Sequence, residues 1–291
     1  MRNRRSPTAR IRAKVLLLSV LRLFWHHGRN ARMALIDCNF FSEVLGLSCS
    51  MHVILPQAPR NEIGRARKYP TLWLLHGRSD DHSMWTRQTS IERYADEAGI
   101  AVVMPAVGLS WYQDMASGLN YGTFLREELP EIARSFFPLS PHRKDNFIAG
   151  LSMGGYGAFL VAFSQPEKYA AAASLSGVLD IHERVHKNVD ARSENMIRLA
   201  FGPASKVRGS DADLFALSEK LQRPEHRPPA LYACCGTADF LIRGNREFVA
   251  HAKKIGLELD YEEHPGADHE WGYWDRQIQR VIEWLPIKGG R

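Results

Sequence analysis

Short apolar runs alternate with helix-like segments through most of this chain, and this alternation constrains the fold more than any other feature. Residues 71–75 read Thr-Leu-Trp-Leu-Leu, and residues 101–104 read Ala-Val-Val-Met. Continuous apolar runs of this length are typical of strands buried on both faces of a parallel sheet. Because strand and helix patterns alternate, we predict an α/β fold with a mostly parallel central sheet and helices on both faces.

The remaining elements follow from the same patterns. An antiparallel hairpin over residues 34–41 and 49–55, turning at Gly46, is predicted to open the domain. Further strands are predicted over residues 146–149, 170–175, 230–235 and 259–263. Helices are predicted over residues 91–98, 121–137, 156–163, 245–255 and 274–285. Pro130 lies inside one of these helical patterns and predicts a kink or a break there.

The length of 291 residues suits one large α/β domain or two small ones, and we assign residues 33–291 to a single domain. Residues 180–229 break the alternation, because they are rich in charge and contain Gly202-Pro203 and Pro228-Pro229. We interpret this segment as an excursion above the sheet and a candidate cap. An ordinary surface insertion is the alternative.

One sharp turn reads Gly150-Leu151-Ser152-Met153-Gly154, a G-x-S-x-G pattern between a predicted strand and a predicted helix. This is the context in which the pattern presents a nucleophilic serine. A side chain two positions to either side of the serine would collide with the neighbouring strand or helix, which explains the glycines. Alone the pattern is weakly specific, because glycine and serine are common, so its significance depends on partners further along the chain.

Candidate partners follow two later strands. Ligands of open α/β sheets bind at the carboxyl ends of strands, where Asp239 follows the strand 230–235 and His269 follows the strand 259–263. The order serine, aspartate, histidine is the one expected of α/β-hydrolases. We predict that Ser152 attacks, that His269 takes and returns its proton, and that Asp239 orients and stabilises the imidazole.

The loop after the strand 71–75 and the turn after the serine are predicted to form an oxyanion hole. Two backbone N–H groups are needed, and we assign them to Met153 and Arg78, with Gly77 allowing a close approach. Trp111 and Tyr112 lie in another loop that follows a strand. They either line an acyl or alcohol pocket or pack that loop, and the sequence favours neither interpretation.

Several of these residues have alternative roles. Asp239 is also a candidate N-cap of the helix that follows it. His264 and Asp268 compete with the proposed histidine and aspartate, although His264 precedes Pro265 and has the character of a loop residue. His76 lies at a strand end, where a structural hydrogen-bonding role is more common than a catalytic one.

Charge is concentrated at the N-terminus. The formal net charge is +6, and residues 1–32 contain nine lysine and arginine residues and no acid. The basic charge therefore describes a tail and not the fold, and we predict that the protein has no nucleic-acid partner, although such a tail could bind anionic surfaces weakly. The apolar run 15–21 is too short to span a bilayer, so we predict no stable membrane insertion. We interpret residues 1–32 as a dispensable extension, with translation from Met33 or a membrane-surface anchor as alternatives.

The four cysteines are predicted to be reduced thiols. Cys234 and Cys235 are adjacent in a strand pattern, where side chains point to opposite faces, and their spacing with Cys38 and Cys49 fits no zinc site. Free thiols favour a reducing compartment, which predicts a cytoplasmic protein.

A set of motifs, in order along residues 33–285, resembles the tributyrin/acetyl esterases of the esterase D group, which also includes S-formylglutathione hydrolases and some feruloyl esterases. The motifs are Leu74-Leu75-His76-Gly77, Ser110-Trp111-Tyr112-Gln113-Asp114-Met115, Glu127-Glu128-Leu129-Pro130, Gly150-Leu151-Ser152-Met153-Gly154-Gly155, Gly236-Thr237-Ala238-Asp239-Phe240-Leu241 and His269-Glu270-Trp271. The resemblance implies an α/β-hydrolase fold, carboxylic-ester hydrolysis without a cofactor or metal, and Ser152, Asp239 and His269 as the triad. Arg78 departs from it, since an apolar residue is common at that position.

We therefore expect a cytoplasmic serine esterase that hydrolyses short-chain acyl esters through an acyl-enzyme on Ser152. Its partner is a small-molecule ester, and the sequence leaves homo-oligomer formation open. An S-formylglutathione hydrolase, a feruloyl-type aryl esterase and, less in keeping with the sequence, an acyltransferase are alternatives with the same triad. A non-catalytic binding protein on a hydrolase scaffold is an alternative of another class, against which the order of the three residues argues.

Overall fold

A computed structural model describes residues 33–58, 60, 67–186 and 191–287. The predicted extension 1–32 lies outside the described residues. The centre of the structure is an eight-stranded sheet in the order β1-β2-β4-β3-β5-β6-β7-β8. Its strands are β1 (Met33–Ser42), β2 (Leu47–Pro56), β3 (Thr71–Leu75), β4 (Ala101–Pro105), β5 (Asn146–Leu151), β6 (Ala171–Leu175), β7 (Ala230–Gly236) and β8 (Asp260–His264).

The sheet is mostly parallel, as the apolar runs predicted. Strand β1 pairs antiparallel with β2, which pairs antiparallel with β4, and the pairings from β4 across to β8 are all parallel. Leu75 lies beside Gly150, and Gly150 lies beside Ser174. The carboxyl ends of β3, β5 and β6 therefore meet at one edge of the sheet.

Helices cover both faces of this sheet. They are α1 (Met84–Gln88), α2 (Ile91–Ala98), α3 (Tyr121–Thr123), α4 (Leu129–Phe136), α5 (Met153–Ser164), α6 (Ile181–His186), α7 (Ala191–Phe201), α8 (Leu214–Leu221), α9 (Ile242–Ile255) and α10 (Trp271–Trp284). Aromatic side chains of α1, α2 and α10 pack in one core, whereas those of α5 and α9 pack in the core of the other face. The predicted two-sided α/β architecture is confirmed.

The break predicted at Pro130 is present in a particular form. A π-helical turn, Phe124–Glu128, connects α3 to α4, and Pro130 lies in the first turn of α4. The N–H of Leu129 donates to Phe124 O, the wider bond pattern of a π-helical turn, and Pro130, which has no N–H to donate, follows directly after this turn. One predicted helix over residues 121–137 is therefore three successive helical pieces.

The segment between β6 and β7 is helical. Helices α6, α7 and α8 and a short 3-10 turn, Ala204–Lys206, lie within it. Helix α8 packs against α5 and α9, so this part of the segment belongs to the helical layer of the sheet. None of the helices in the described part of the chain is long and apolar enough to cross a membrane. All four cysteines are free thiols.

Candidate active site

The sharp turn at Ser152 separates the last residue of β5 from the first residue of α5. Ser152 has φ 53° and ψ −116°, a strained conformation for a residue with a side chain. Backbone hydrogen bonds to β6 and to the loop after it hold Ser152 in place. Ser152 N–H donates to Leu175 O at 2.9 Å, and Val178 N–H donates to Ser152 O at 3.2 Å. The neighbouring strand β6 thus fixes the turn that exposes the hydroxyl.

The glycines on either side of this turn have no room for a side chain. A Cβ at Gly150 would lie 2.4 Å from the backbone of Gly154, and a Cβ at Gly154 would lie 2.4 Å from Leu75 O. Backbone atoms cannot move aside as a flexible side chain would. The collision predicted from the G-x-S-x-G pattern is therefore confirmed, because helix α5 begins in direct contact with β3 and β5.

Ser152, His269 and Asp239 form one continuous chain of hydrogen bonds. His269 Nε2 lies 3.0 Å from Ser152 Oγ, and His269 Nδ1 lies 2.8 Å from Asp239 Oδ2. An ionised carboxylate only accepts hydrogen bonds, so Nδ1 carries the imidazole proton. Nε2 is then the acceptor for the serine hydroxyl. The arrangement can draw a proton from Ser152 Oγ toward the ring.

Asp239 serves two partners at once. Its side chain is fully buried, and its second oxygen, Oδ1, accepts the N–H of Leu241 at 2.9 Å. Burial by itself would raise the pKa of Asp239, but the hydrogen bond and positive charge of His269, with the Leu241 N–H, hold this pKa below its usual value. The carboxylate remains charged opposite the imidazole. Asp239 therefore makes both a bond to the backbone N–H of Leu241, of the kind an N-cap residue makes, and a bond to the imidazole of His269.

Two aromatic rings hold the imidazole of His269 in position. The ring of Phe240 lies 4.6 Å from it between centroids, and the ring of Trp274 meets it edge-on at 4.8 Å. The His269 side chain keeps 18% of its surface exposed. Proton exchange with a substrate or with water therefore has an open path at this side.

The competing candidates lie elsewhere. His264 Nδ1 is 3.0 Å from the hydroxyl of Tyr273, and its other nitrogen faces Glu262. Asp268 Oδ1 accepts the backbone N–H of His269 at 2.7 Å and does not contact the imidazole. The structure therefore brings together the aspartate and the histidine that the sequence favoured.

His76 has the structural role that its position predicted. Its Nδ1 lies 2.8 Å from Gly77 O, and Val107 N–H donates to its Nε2 at 3.1 Å. Burial lowers the pKa of His76 to about 4. The ring stays neutral and joins the loop after β3 to the loop after β4.

A cavity of about 250 Å³ opens beside Ser152 and His269. It is lined further by Arg78, Trp111, Val178, Arg184, Phe240 and Leu241. A more open cleft of about 630 Å³ lies at the amino ends of the strands, among basic residues such as Arg143 and Arg227. We take the smaller cavity as the active site, because it holds the serine and the histidine.

Trp111 and Tyr112, whose roles the sequence did not decide, lie in different places. Trp111 lines the cavity, whereas Tyr112 is fully buried behind it and donates its hydroxyl to His76 O at 2.7 Å. Both residues have positive φ angles, 55° and 60°. In this tight turn the two consecutive side chains point in different directions. The structure therefore does not bring Tyr112 into the cavity, and this placement does not support the predicted contact of Tyr112 with substrate.

The predicted oxyanion-hole donors follow two different strands, β5 and β3. Met153 is the first residue of α5, where N–H groups have no partner in a preceding turn. Arg78 follows β3 directly after Gly77 and lines the cavity. Arg184, Val178 and Phe240 also line the cavity and were not predicted from the sequence. Phe240 and Leu241 stand beside Asp239 in one of the motifs, which was the available signal for them, whereas Arg184 comes from a segment without a recognised pattern.

The parallel sheet, the strained serine turn between β5 and α5, and an aspartate and a histidine after β7 and β8 define an α/β-hydrolase. Comparison with known proteins gives the family. The Esterase family model, described as "Putative esterase", matches residues 42–285, and the chain belongs to this family.

Similar proteins include an esterase and other serine hydrolases. An acetyl esterase of Caldicellulosiruptor saccharolyticus is 33% identical over 263 residues, covering 87% of this chain and 98% of that protein. A fluorophosphonate-binding serine hydrolase of Staphylococcus aureus is 36% identical with a TM-score of 0.81, covering 87% of this chain and 98% of that one. An S-formylglutathione hydrolase from the same organism is 36% identical with a TM-score of 0.79, covering 87% and 99%. The protein is a serine hydrolase that acts on ester bonds.

Proposed function

We propose that this protein hydrolyses short-chain acyl esters through an acyl-enzyme on Ser152, with His269 as general base and acid and Asp239 as its orienting partner. The observation that supports this most strongly is the hydrogen-bonded chain from Asp239 through His269 to Ser152, which ends in a cavity. That cavity is only about 250 Å³, below the usual range for drug-sized ligands of about 300–1,000 Å³, so a short acyl group suits it.

In the first half of the reaction, Ser152 Oγ attacks the carbonyl carbon and its proton passes to His269 Nε2. The carbonyl oxygen becomes an oxyanion, for which we assign the N–H groups of Met153 and Arg78 as donors. The C–O bond to the alcohol then breaks, and His269 returns the proton to the leaving oxygen. The acyl group remains on Ser152.

In the second half, water takes the place of the alcohol. His269 removes a proton from this water, the hydroxide oxygen attacks the acyl carbon, and a second oxyanion forms in the same hole. Collapse of this intermediate releases the carboxylic acid, and the proton goes back to Ser152 Oγ. Throughout, Asp239 stabilises the imidazolium of His269 without itself becoming protonated.

The serine is tested by Ser152→Ala. We expect turnover of 4-nitrophenyl acetate and labelling by a fluorophosphonate probe to disappear, while the far-UV circular dichroism spectrum and the melting temperature stay close to those of the parent. Ser164→Ala, an exposed serine at the end of the same helix, is the matched control and should retain both. Turnover or labelling by the Ser152 variant would contradict the assignment.

A thioester substrate is the second candidate, because an S-formylglutathione hydrolase is among the solved structures that resemble this chain over 87% of its length. A panel of acetyl to octanoyl esters, S-formylglutathione and methyl ferulate separates the alternatives by kcat/KM. We expect the acetyl and butyryl esters to give the highest kcat/KM. A preference for S-formylglutathione or ferulate would reassign the substrate and leave the chemistry of Ser152 unchanged.

We further propose a cytoplasmic location without membrane insertion, a cap formed from residues 180–229, and a catalytic domain over 33–291 that is independent of residues 1–32. The free thiols favour a reducing compartment. Val178 and Arg184, which flank the start of this segment, line the cavity, as residues of or beside a cap would. Deletion of residues 2–32 should leave kcat unchanged, and cell fractionation should recover the full chain in the cytosol rather than with membranes.

A further inference from the structure

We infer a second site in this protein, a binding site for a divalent transition metal of the zinc class, formed by Asp37, His52 and His82. Asp37 belongs to β1, His52 to β2, and His82 to the loop between β3 and α1. Their ligand atoms all lie within 4.8 Å of one another. None of the three takes part in the chemistry proposed for Ser152.

The geometry is close to what such an ion needs. The two imidazole rings are perpendicular with centroids 4.8 Å apart, and His82 Nε2 lies 3.9 Å from Asp37 Oδ1. Ligands about 2.0–2.1 Å from a tetrahedral zinc ion are about 3.3 Å apart from each other. The Asp37 side chain is 62% exposed, so a rotation about its own bonds closes the remaining gap without disturbing the core.

The surroundings of the two histidines also suit a metal site. His52 Nδ1 lies 3.2 Å from Thr86 Oγ1, whose hydroxyl donates to Ser83 O at 2.7 Å. Thr86 therefore accepts the Nδ1 proton, which leaves the lone pair on Nε2 of His52 for an ion, the second-shell arrangement usual for metal-bound histidine. In the described part of the chain, Nδ1 of His82 is buried and has no hydrogen-bond partner, whereas its Nε2 faces Asp37 and is the nitrogen available to an ion.

Two imidazoles and a carboxylate select zinc and similar ions over magnesium or calcium, which prefer all-oxygen sites. Water would complete the coordination. An ion here would join strands β1 and β2 to the loop that also contains Arg78, and it would stabilise the native state because the unfolded chain does not hold the three ligands together.

The test is calorimetric titration of Zn²⁺ into the full chain after treatment with a chelator. Because His26 and His27 are adjacent in the sequence and also able to bind zinc, the reference protein carries His26→Gln and His27→Gln. In this reference we expect stoichiometric binding, a rise in melting temperature, and a tetrahedral absorption spectrum with Co²⁺. His52→Gln and His82→Gln should each weaken binding at least about tenfold and abolish the rise in melting temperature.

His226→Gln, an exposed histidine outside the cluster, is the matched control and should bind as the reference does. Circular dichroism verifies that each variant is folded. Absence of zinc binding by the reference protein, or equal affinity in folded His52→Gln and His82→Gln variants, would overturn the site.

A different observation, the charge of the active-site cavity, concerns substrate choice and rests on the proposed function. We propose that the preferred esters have an anionic group, a carboxylate or a phosphate, near the scissile bond. Two guanidinium side chains, those of Arg78 and Arg184, line the cavity together with Ser152. Arg184 lies over the ring of Phe240 at 5.8 Å, which holds it at the opening.

Acidic side chains near this opening have partners of their own. Glu183 pairs with Arg243 at 3.1 Å, Asp80 accepts the N–H of Gly77 at 3.1 Å, and Asp239 is bound to His269. Burial and the neighbouring charge of Arg78 lower the pKa of Arg184, and the charge of Glu183 opposes this shift, so each arginine lies within the electrostatic field of the other. Two like charges at one narrow opening concentrate anions there, and the planar guanidinium groups match carboxylate and phosphate oxygens.

A pair of esters with similar acyl length tests this preference, 4-nitrophenyl butyrate and the singly charged 4-nitrophenyl hemisuccinate. The ratio of kcat/KM for the charged ester to that for the neutral one should exceed one at low salt and fall as salt screens the arginines. Arg184→Gln should lower this ratio about tenfold, whereas Arg198→Gln, on an exposed face, should not change it. Hydrolysis of both esters without a charge preference would overturn the inference alone, and hydrolysis of neither would overturn the proposed function.

Discussion

The loops after β3 and β8 each hold a histidine beside Ser152, yet the two residues are in opposite situations. His76 is fully enclosed, and both of its ring nitrogens are bound to the backbone of Gly77 and Val107. His269 is partly open, and its nitrogens face two side chains, Asp239 and Ser152. The contrast shows that the partners of a histidine, and not its position after a strand, decide whether it can move a proton.

The protein environment acts on each ring accordingly. Burial lowers the pKa of His76 to about 4, so this ring remains neutral and has a structural role. The carboxylate next to His269, that of Asp239, is buried and held charged by its own hydrogen bonds, and the proposed mechanism assigns it the stabilisation of the imidazolium. A substitution of His269 should therefore mainly lower the catalytic rate, whereas a substitution of His76 should mainly change the stability of the fold.

The largest expected effect is on catalysis by His269→Gln. This change removes the base, so kcat for 4-nitrophenyl acetate should fall by about 10⁵–10⁶. The free energy of unfolding, measured with urea, should fall by about 1–3 kcal/mol, because glutamine is a weaker partner for the buried carboxylate of Asp239. A variant that kept most of its kcat would show that His269 has only a structural role.

Asp239→Asn should have the next largest effect. An asparagine donates as well as accepts, so it favours the wrong tautomer of His269, and kcat should fall by about 10⁴. Steady-state kinetics measures this loss. Asp268→Asn is the matched control, because the Asp268 side chain contacts only the backbone of His269. Equal losses in both variants would remove the distinction drawn between the two carboxylates.

A pH-dependent loss of stability is expected from His76. The unfolded histidine binds a proton near pH 6.5 and the native one only near pH 4. The unfolded state thus holds more protons between these values, so stability is complete above pH 6.5 and falls as the pH drops toward 4, by at most about 3 kcal/mol. Urea unfolding at pH 7 and pH 5 measures the slope.

His76→Asn removes this titration. The loss of stability between pH 7 and pH 5 should be smaller in His76→Asn than in the parent by about 2 kcal/mol. Parallel slopes for the two proteins would show that His76 is already protonated in the native state or is not enclosed as described. Other carboxyl groups titrate in both proteins, so the difference between the slopes isolates the histidine.

The smallest expected effect belongs to Phe240→Ala. The Phe240 ring lies 4.6 Å from the His269 ring, and aromatic pairs of this kind contribute about 0.5–1.5 kcal/mol. Loss of the ring should reduce kcat/KM by a factor of about two to ten. Phe136→Ala, an exposed phenylalanine at the end of α4, serves as the control and should leave the kinetics unaltered.

Much of the fold could be predicted from local patterns. The apolar run 71–75 matches β3 residue for residue, and the predicted helix 91–98 matches α2. The start of α5 was predicted three residues late, because Met153, Gly154 and Gly155 were interpreted as part of the turn. A helix that is buried on every side has no amphipathic period to mark its ends.

Prediction was weaker where function depends on loops. Trp111 and Tyr112 could not be distinguished by sequence, since two consecutive residues of positive φ direct them to different places. Arg184 reaches the cavity from a charged segment whose path no periodic pattern indicates. Loops take their course from the elements they cross, and this information is spread over the whole chain.

The amino-acid sequence by itself determined the glycines that allow the turn at Ser152, the alternation that produces a parallel sheet, and the order of the three polar residues after strand ends. These are local properties, set by backbone sterics and by the burial of short apolar runs. Only the tertiary structure decided that His269 rather than His264 meets Ser152 across 117 positions of sequence, and that Asp239 rather than Asp268 meets its ring. Hydrogen bonds of about 3 Å require that whole strands and helices first be placed in register, and that placement comes from packing on both faces of the sheet.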